Sequence, residues 1–134
     1  MTLLKGTVVS TQNGSVPIES IHEGDMILNQ AGEPVIVQQI SIAHYHVKLA
    51  KGTYNEMYKV PKGSYGAKSD LYLTKGHRML KKNGNVVLPE KLGFLPAPES
   101  EYCDANGNFT VYHIKVGAEH HLIVNEGCIV ESWK

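Results

Sequence analysis

The stretch LYLTKGHRML, residues 71–80, places a threonine and a histidine three positions apart across a glycine. Thr74 ends a run of strand-forming residues, and His77 follows the turn made by Lys75 and Gly76. A hydroxyl and an imidazole at this spacing can hold one peptide group from two sides, the imidazole as a proton donor. The same residues also suit an ordinary hairpin. The pair alone leaves a catalytic and a structural interpretation open.

The other histidines and the cysteines give weaker signals. His44 and His46 would share one face of a strand, at a spacing that can chelate a metal, but no third ligand follows from the spacing. We therefore expect no structural metal and no cofactor. Cys103 and Cys128 form no CxxC motif, so a disulfide between them and two free thiols are both open. The stretch DANGN, residues 104–108, lacks the ligand pattern of a calcium loop and is interpreted as a turn.

The elements that must position these side chains are strands. Apolar runs of mostly four to eight residues, rich in valine, isoleucine, threonine and tyrosine, recur between turn signals. They include PVIVQQISI from residue 34, YHVKLA from residue 45 and FTVYHIKV from residue 109. No segment keeps an amphipathic helical stripe for three turns. The sequence therefore predicts an all-β fold with little helix.

Two of these hairpins resemble each other. VVSTQNGSVPIESI from residue 8 and RMLKKNGNVVLPEKL from residue 78 share an apolar pair, an Asn-Gly turn, an apolar strand and a glutamate. Their Asn-Gly pairs, at 13 and 83, are 70 residues apart. Either one unit is repeated, which would give a pseudo-two-fold domain, or two unrelated hairpins use the same common turn.

Length and charge exclude several classes of protein. A chain of 134 residues is about one domain long, so we expect a single domain over residues 1–134. Thirteen basic residues balance thirteen acidic ones without long runs of like charge, which disfavours nucleic acid as a partner. No apolar run approaches the length of a membrane helix, and we expect a soluble monomer with no membrane partner. No GxSxG, HExxH, P-loop or Rossmann glycine motif occurs.

Three segments together resemble a known family. TLLKGTVVSTQNGSVPIESIHEGDMIL resembles the first block of Hint domains, the self-processing modules of inteins, bacterial intein-like proteins and hedgehog proteins. LTKGHRML resembles the TxxH block of that family, and VYHIKVGAEHHLIVNEGCIVES resembles its closing block. The three occur in the family's order and spacing over residues 2 to about 132, and the bacterial intein-like members are the most similar. The resemblance implies a compact, pseudo-two-fold Hint fold.

The resemblance also implies a reaction and its residues. Thr2 stands at the first nucleophile and would attack the carbonyl of the preceding residue, converting an amide into an ester. Thr74 would hold and twist the Met1–Thr2 peptide, and His77 would protonate its nitrogen. His113 stands where inteins often have an aspartate and would act as a base or proton shuttle. His120 matches the histidine of the closing block.

The departures from the family pattern limit that reaction. Thr2 replaces the usual cysteine or serine, and its hydroxyl needs an adjacent base. Glu131 and Ser132 replace the terminal His-Asn pair, and Ser132 has no side-chain amide that could cyclise. The implied reaction therefore acts in cis on the chain's own upstream polypeptide and stops at the N-terminal ester, which water or an external nucleophile resolves.

Two other interpretations remain open. The Hint fold could persist as a binding or linker module whose active site is silent, with the first nucleophile replaced. Alternatively, an unrelated β domain could use its histidines for a metal.

Overall fold

Short antiparallel strands make up most of the computed structural model, which describes residues 2–50, 56–117 and 119–132, without the side chains of residues 49 and 50. The strands are β1 (Leu3–Leu4), β2 (Val8–Thr11), β3 (Gly14–Pro17), β4 (Met26–Leu28), β5 (Pro34–Ile36), β6 (Gln39–His46), β7 (Met57–Val60), β8 (Leu71–Thr74), β9 (Met79–Leu80), β10 (Val86–Val87), β11 (Asn108–Lys115), β12 (His121–Val124) and β13 (Cys128–Glu131). Two four-residue helices, α1 (Val47–Ala50) and α2 (Glu99–Tyr102), and two 3-10 helices (Ile18–Ser20 and Pro89–Leu92) complete the described elements. The predicted all-β class is confirmed. None of the described helices is long and apolar enough to cross a membrane.

The strands form two large sheets and one small hairpin. One sheet has the order β6-β11-β1-β8-β7, and the other has the order β10-β9-β13-β12-β2-β3. Strands β4 and β5 pair only with each other within the described residues. The two-residue strand β1 lies in the middle of the first sheet, between β8 and β11. The start of the chain is therefore held by strands that come much later in the sequence.

The internal repeat is visible in the pairing. Leu3 pairs directly with Leu73 across the antiparallel β1 and β8 strands, and these positions are 70 apart, like the two Asn-Gly turns. The hairpins β2–β3 and β9–β10 stand at opposite edges of the second sheet, and the hairpin β12–β13 joins them. A pseudo-two-fold axis through the Leu3–Leu73 pair accounts for this arrangement. The pairing and the strand order therefore agree with the repeated-unit interpretation.

The core follows from strand alternation. In β8, Leu71 and Leu73 are buried, and in β12, Leu122 and Val124 are buried while the residues between them are partly exposed. Burying a leucine or valine side chain contributes about 2 kcal/mol. A smaller cluster around Met57, and including Phe109 and Val111, packs apart from the main core. These contacts fix which face of each strand is turned inward.

Two local predictions were wrong, and one strand was not predicted. The run PVIVQQISI is two strands, because the Val37 N–H bonds to the Asp25 carbonyl and its own carbonyl accepts from Gly24, which takes this residue out of a continuous strand. The run YHVKLA continues as a strand only to His46 and then becomes α1. Strand β7 was not predicted, and it forms because it pairs with β8 along its whole length.

A buried asparagine links the two halves of the fold. Asn125 is 2% exposed and adopts a φ of 47°, a left-handed conformation that asparagine tolerates well. Its Oδ1 accepts the Val8 N–H at 3.1 Å, and its Nδ2 donates to the Asp70 carbonyl at 3.0 Å. The turn after β12 is thereby tied to β2 and to the loop before β8.

A close backbone approach clamps the turn between β12 and β13. A methyl group on Gly127 would overlap the backbone carbonyl oxygen of Gly66. We expect Gly127→Ala to lower the free energy of unfolding by about 3 kcal/mol, because a backbone oxygen cannot rotate away as a side chain can. Urea denaturation measures the change. Glu126→Ala, in the same turn with an exposed side chain, is the matched control and should change the stability little; equal effects would contradict the clamp.

Candidate functional site

Thr2 lies where the register of β1 meets two neighbouring strands. Leu3 pairs with Leu73 in β8 and with Tyr112 in β11. Continuing the antiparallel register by one residue places Thr2 between Thr74 and His113. The structure therefore brings the predicted nucleophile to both predicted partners. Met1, which would supply the attacked carbonyl, lies outside the described residues.

Thr74 holds the backbone of Thr2 at two points. The Thr2 N–H donates to Thr74 Oγ1 at 2.8 Å, and the Thr74 N–H donates to the Thr2 carbonyl at 3.1 Å. The two hydroxyl oxygens are 3.4 Å apart. Thr74 is 1% exposed, so its rotamer is fixed by packing. The amide nitrogen of the predicted cleavage bond thus has a buried hydroxyl as its hydrogen-bond acceptor.

His77 lies between the two ends of the domain. Its Nδ1 is 3.3 Å from the Thr2 carbonyl oxygen, and its Nε2 is 2.9 Å from the Glu131 carbonyl oxygen. A neutral imidazole has one N–H, so it can donate to only one of these carbonyls at a time, whereas the imidazolium donates to both. The ring contacts the carbonyl of Thr2, which belongs to the peptide group after Thr2. The nitrogen that His77 was predicted to protonate belongs to the peptide group before Thr2.

Burial controls the charge of His77. The side chain is 1% exposed, and this burial lowers the pKa of His77 from 6.5 to about 4. Burial likewise lowers the pKa of His113 to about 4, with further lowering by the positive charge of the nearby His77. Both rings are therefore neutral at pH 7 and can accept a proton.

His120 and Ser132 meet through the backbone. Ser132 is 2% exposed, and its hydroxyl donates to the His120 carbonyl at 2.7 Å. Gly117, whose carbonyl lies 3.5 Å from the same hydroxyl, belongs to the same loop. The neighbouring Glu131 places Oε2 3.7 Å from Arg78 Nε. These residues form the C-terminal side of the site, and His77 connects it with Thr2.

Asn29, which the sequence did not single out, fixes the His120 ring. Its Oδ1 accepts the N–H groups of Ala31 and Glu33, both at 2.9 Å, so its Nδ2 is the group that faces His120 Nδ1 at 3.2 Å. An amide nitrogen only donates, so His120 Nδ1 accepts and the proton is on Nε2. The NQAGE pattern signals a turn, but no local pattern signals the contact with a histidine 91 positions away.

His44 and His46 lie outside this arrangement. His44 Nδ1 is 2.9 Å from Thr110 Oγ1, and His46 Nε2 is 2.8 Å from the Asn106 carbonyl oxygen. In the parts of the chain that the structure describes, no group of three or more histidine, cysteine or acidic side chains could hold a metal ion. Cys103 and Cys128 are both free.

Comparisons with known proteins agree with this fold. A sequence model described as the Hint domain matches residues 1–134, so the chain belongs to the Hint domain family. The structure is similar to that of a bacterial intein-like domain from Clostridium thermocellum, with a TM-score of 0.65, 19% identity and 98% of each chain covered. It is also similar to the Msm DnaB1 intein splicing domain bound with zinc, with a TM-score of 0.65, 15% identity and coverage of 98% of this chain and 99% of that one. The gp41-1 intein matches with a TM-score of 0.59, 16% identity and 98% of each chain covered. Comparison with curated protein sequences found no match.

The low pKa of His77 predicts how stability depends on pH. The unfolded chain binds a proton near pH 6.5 and the folded chain only near pH 4, so the stability is fully present above pH 6.5 and falls as the pH is lowered to 4. For His77 alone the loss is about 3 kcal/mol. We expect His77→Gln to flatten this dependence, as measured by urea unfolding between pH 7 and 4. His22→Gln, at a side chain that is 79% exposed, is the control, and an equal flattening in this variant would contradict the role of burial at His77.

The Asn29 contact predicts the tautomer of His120. In ¹H–¹⁵N correlation spectra of the imidazole nitrogens at neutral pH, His120 should carry its proton on Nε2. Asn29→Asp keeps the oxygen that accepts the two backbone N–H groups but faces His120 with an acceptor, so it should move the proton to Nδ1.

A matched control exists for this change. Asp104 Oδ1 accepts the N–H groups of Asn106 and Asn108 at 2.8 and 2.9 Å, which is the same turn as the one at Asn29. Asp104→Asn should leave the His120 spectrum unchanged. A proton on Nδ1 in the unsubstituted protein would contradict the assignment.

Proposed function

We propose that this Hint domain performs an N-terminal acyl shift at the peptide bond before Thr2 and so releases the polypeptide that precedes it. The observation that carries the proposal is the 2.8 Å hydrogen bond from the Thr2 N–H to the buried Thr74 hydroxyl. A structural hairpin has no need of a buried hydroxyl on the first amide of the strand, whereas cleavage of this bond requires control of its nitrogen. The reaction acts in cis and needs no cofactor.

The first step exchanges an amide for an ester. The Thr2 Oγ1 bonds to the carbonyl carbon of the preceding residue, the bond from that carbon to the Thr2 nitrogen breaks, and the hydroxyl proton is transferred to the nitrogen. Thr74 favours this step by holding the nitrogen, since a peptide twisted out of plane by about 12° already stores about 1 kcal/mol. The products are an ester and a free amine on the same threonine.

The two buried histidines carry the proton. His113 lies opposite Thr2 in the register and is neutral at pH 7 because burial lowers its pKa to about 4. It is the candidate base for the hydroxyl proton. His77 is also neutral at pH 7, so in this proposal it receives that proton from His113 before it donates it to the leaving nitrogen. An imidazolium with so low a pKa is a strong acid, so it returns the proton readily. The two carbonyls that contact His77 stabilise its charged form while the proton is there.

The C-terminal side of the site cannot complete splicing. Ser132 has no amide nitrogen for cyclisation, and its hydroxyl donates to the His120 carbonyl. The reaction therefore ends when water or an external nucleophile attacks the ester carbonyl, which releases the upstream segment and regenerates the Thr2 hydroxyl. His120 and Ser132 keep the geometry of the second half-site without its chemistry.

A silent binding or linker module is the second candidate function. It is favoured by the half-buried Thr2 side chain, whose β-branch crowds the hydroxyl. In that case the fold would persist because its two sheets and core are intact. Whether residue 2 can act as a nucleophile distinguishes the self-processing function from the silent module.

Restoring a thiol at position 2 tests the proposal. With a reporter protein fused before residue 2, Thr2→Cys should release the reporter over hours and faster with dithiothreitol, because a thiolate is a better nucleophile and the external thiol resolves the thioester. The unsubstituted Thr2 fusion should be nearly inert. Reporter size on a gel measures the release.

The controls separate chemistry from folding. In the Thr2→Cys background, His77→Ala should abolish release, since the amine would leave without a proton. His44→Ala, at an exposed histidine on β6, should release at the unchanged rate. A folded Thr2→Cys fusion that stays intact under reducing conditions would contradict the proposal and favour the binding module.

A further inference from the structure

The turn between Thr74 and His77 is held by a carboxylate from another element. The Gly76 N–H donates to Glu90, with Oε1 at 3.0 Å and Oε2 at 3.4 Å. The N–H groups on either side of Gly76 bond to backbone carbonyls, at 3.0 and 3.1 Å. Glu90 thus provides the side-chain acceptor for the central amide of the turn. Gly76 has a φ of 83°, so other residues would strain the turn.

The same contact recurs in the other half of the fold. LKGT at residues 4–7 and TKGH at residues 74–77 are 70 positions apart and form equivalent turns. The Gly6 N–H donates to Glu19 Oε1 at 3.1 Å, as the Gly76 N–H does to Glu90. Glu19 and Glu90 each lie in the first turn of the 3-10 helix that follows their hairpin. Only the second copy carries a threonine and a histidine at its ends.

The shape of this turn sets the distance between the two groups that act on Thr2. Thr74 contacts the Thr2 nitrogen and His77 contacts the Thr2 carbonyl, so any opening of the turn separates them. Glu90 can keep the turn closed because its own position is fixed. The adjacent Pro89 is buried, and the 3-10 helix that contains both residues packs on β7. From this geometry we infer that Glu90 is a positioning residue that holds Thr74 and His77 in register on the backbone of Thr2. The inference rests on the proposed function.

The experiment uses the Thr2→Cys reporter fusion. Glu90→Ala removes the acceptor, Glu90→Gln keeps one carbonyl oxygen in its place, and Glu19→Ala removes the equivalent acceptor from the other turn. Release is followed at increasing dithiothreitol concentrations, so that the limiting rate at saturating thiol reports the forward acyl shift. The half-saturating concentration reports the rate of the reverse shift relative to the thiol step. Amide hydrogen exchange at Gly76 and Gly6 reports each turn directly.

Glu90→Ala should lower the limiting rate by roughly 10- to 100-fold, as expected for a small misplacement of reacting groups. It should lower the half-saturating concentration by a similar factor, because the forward and reverse acyl shifts share one transition state. Glu90→Gln should recover most of the rate. Glu19→Ala should keep it, because β1 remains paired on both sides. Exchange should accelerate at Gly76 in Glu90→Ala and at Gly6 in Glu19→Ala.

Several results would overturn the inference. They are an unchanged limiting rate in folded Glu90→Ala, equal slowing in Glu19→Ala, or slowing in Glu90→Gln as severe as in Glu90→Ala. If Glu90→Ala does not fold, the release rate of Glu90→Gln and the hydrogen exchange of the Gly76 amide in the parent protein still test the inference. A Gly76 amide that exchanges rapidly in the parent protein would contradict the contact with Glu90. If the Thr2→Cys parent itself releases nothing, the proposed function fails, while the exchange data still test whether Glu90 holds the turn.

Discussion

The pairing of β1 on both sides is the constraint on which the rest of the site depends. This strand has two residues, yet it pairs with β8 through Leu73 and with β11 through Tyr112. Leu3 is 1% exposed, so its side chain anchors the strand in the core as well as in the sheet. Without this anchor, the first residues would behave as an ordinary mobile terminus. Because β1 is paired on both sides, the backbone of Thr2 has a fixed position, and the side chains beside it can contact it in a defined geometry.

The buried histidine illustrates a compromise between stability and chemistry. A neutral ring with a carbonyl at each end leaves one contact without a proton, which costs stability. The same arrangement suits the transient imidazolium, since each ring nitrogen then has an acceptor. Sites that depress a histidine pKa by burial while offering acceptors for the charged form favour rapid proton transfer over resting stability. The site therefore contains a strain that the surrounding sheets must offset.

The sequence predicted the fold class and several of the residues that the structure places beside Thr2. It did not predict the elements and side-chain contacts that depend on residues far away in the sequence. Alternating apolar residues were enough to predict the strands, and the repeated Asn-Gly turns pointed to the pseudo-symmetry. Thr74 and His77 were predicted as site residues from the resemblance of their segment to the TxxH block, since their short spacing alone left the interpretation open. Strand β7 was missed because it has only four residues and depends on β8 for its pairing. Asn29 and Glu90 were missed as site residues because nothing nearby in the sequence reveals which side chain or amide they reach.

The long sequence distances within the site also determine when it can first exist. Thr2 is 75 positions from His77, and His77 is 54 positions from Glu131, so the ring and its two carbonyls meet only after nearly the whole chain has been made. A polypeptide placed before Thr2, as the proposed function requires, would leave the ribosome first and fold before the strands that complete the site. Contacts between such distant residues also form late in folding, because closing long loops is slow. Under the proposed function, this late assembly gives the upstream segment time to reach its structure before the bond that joins it to Thr2 is attacked.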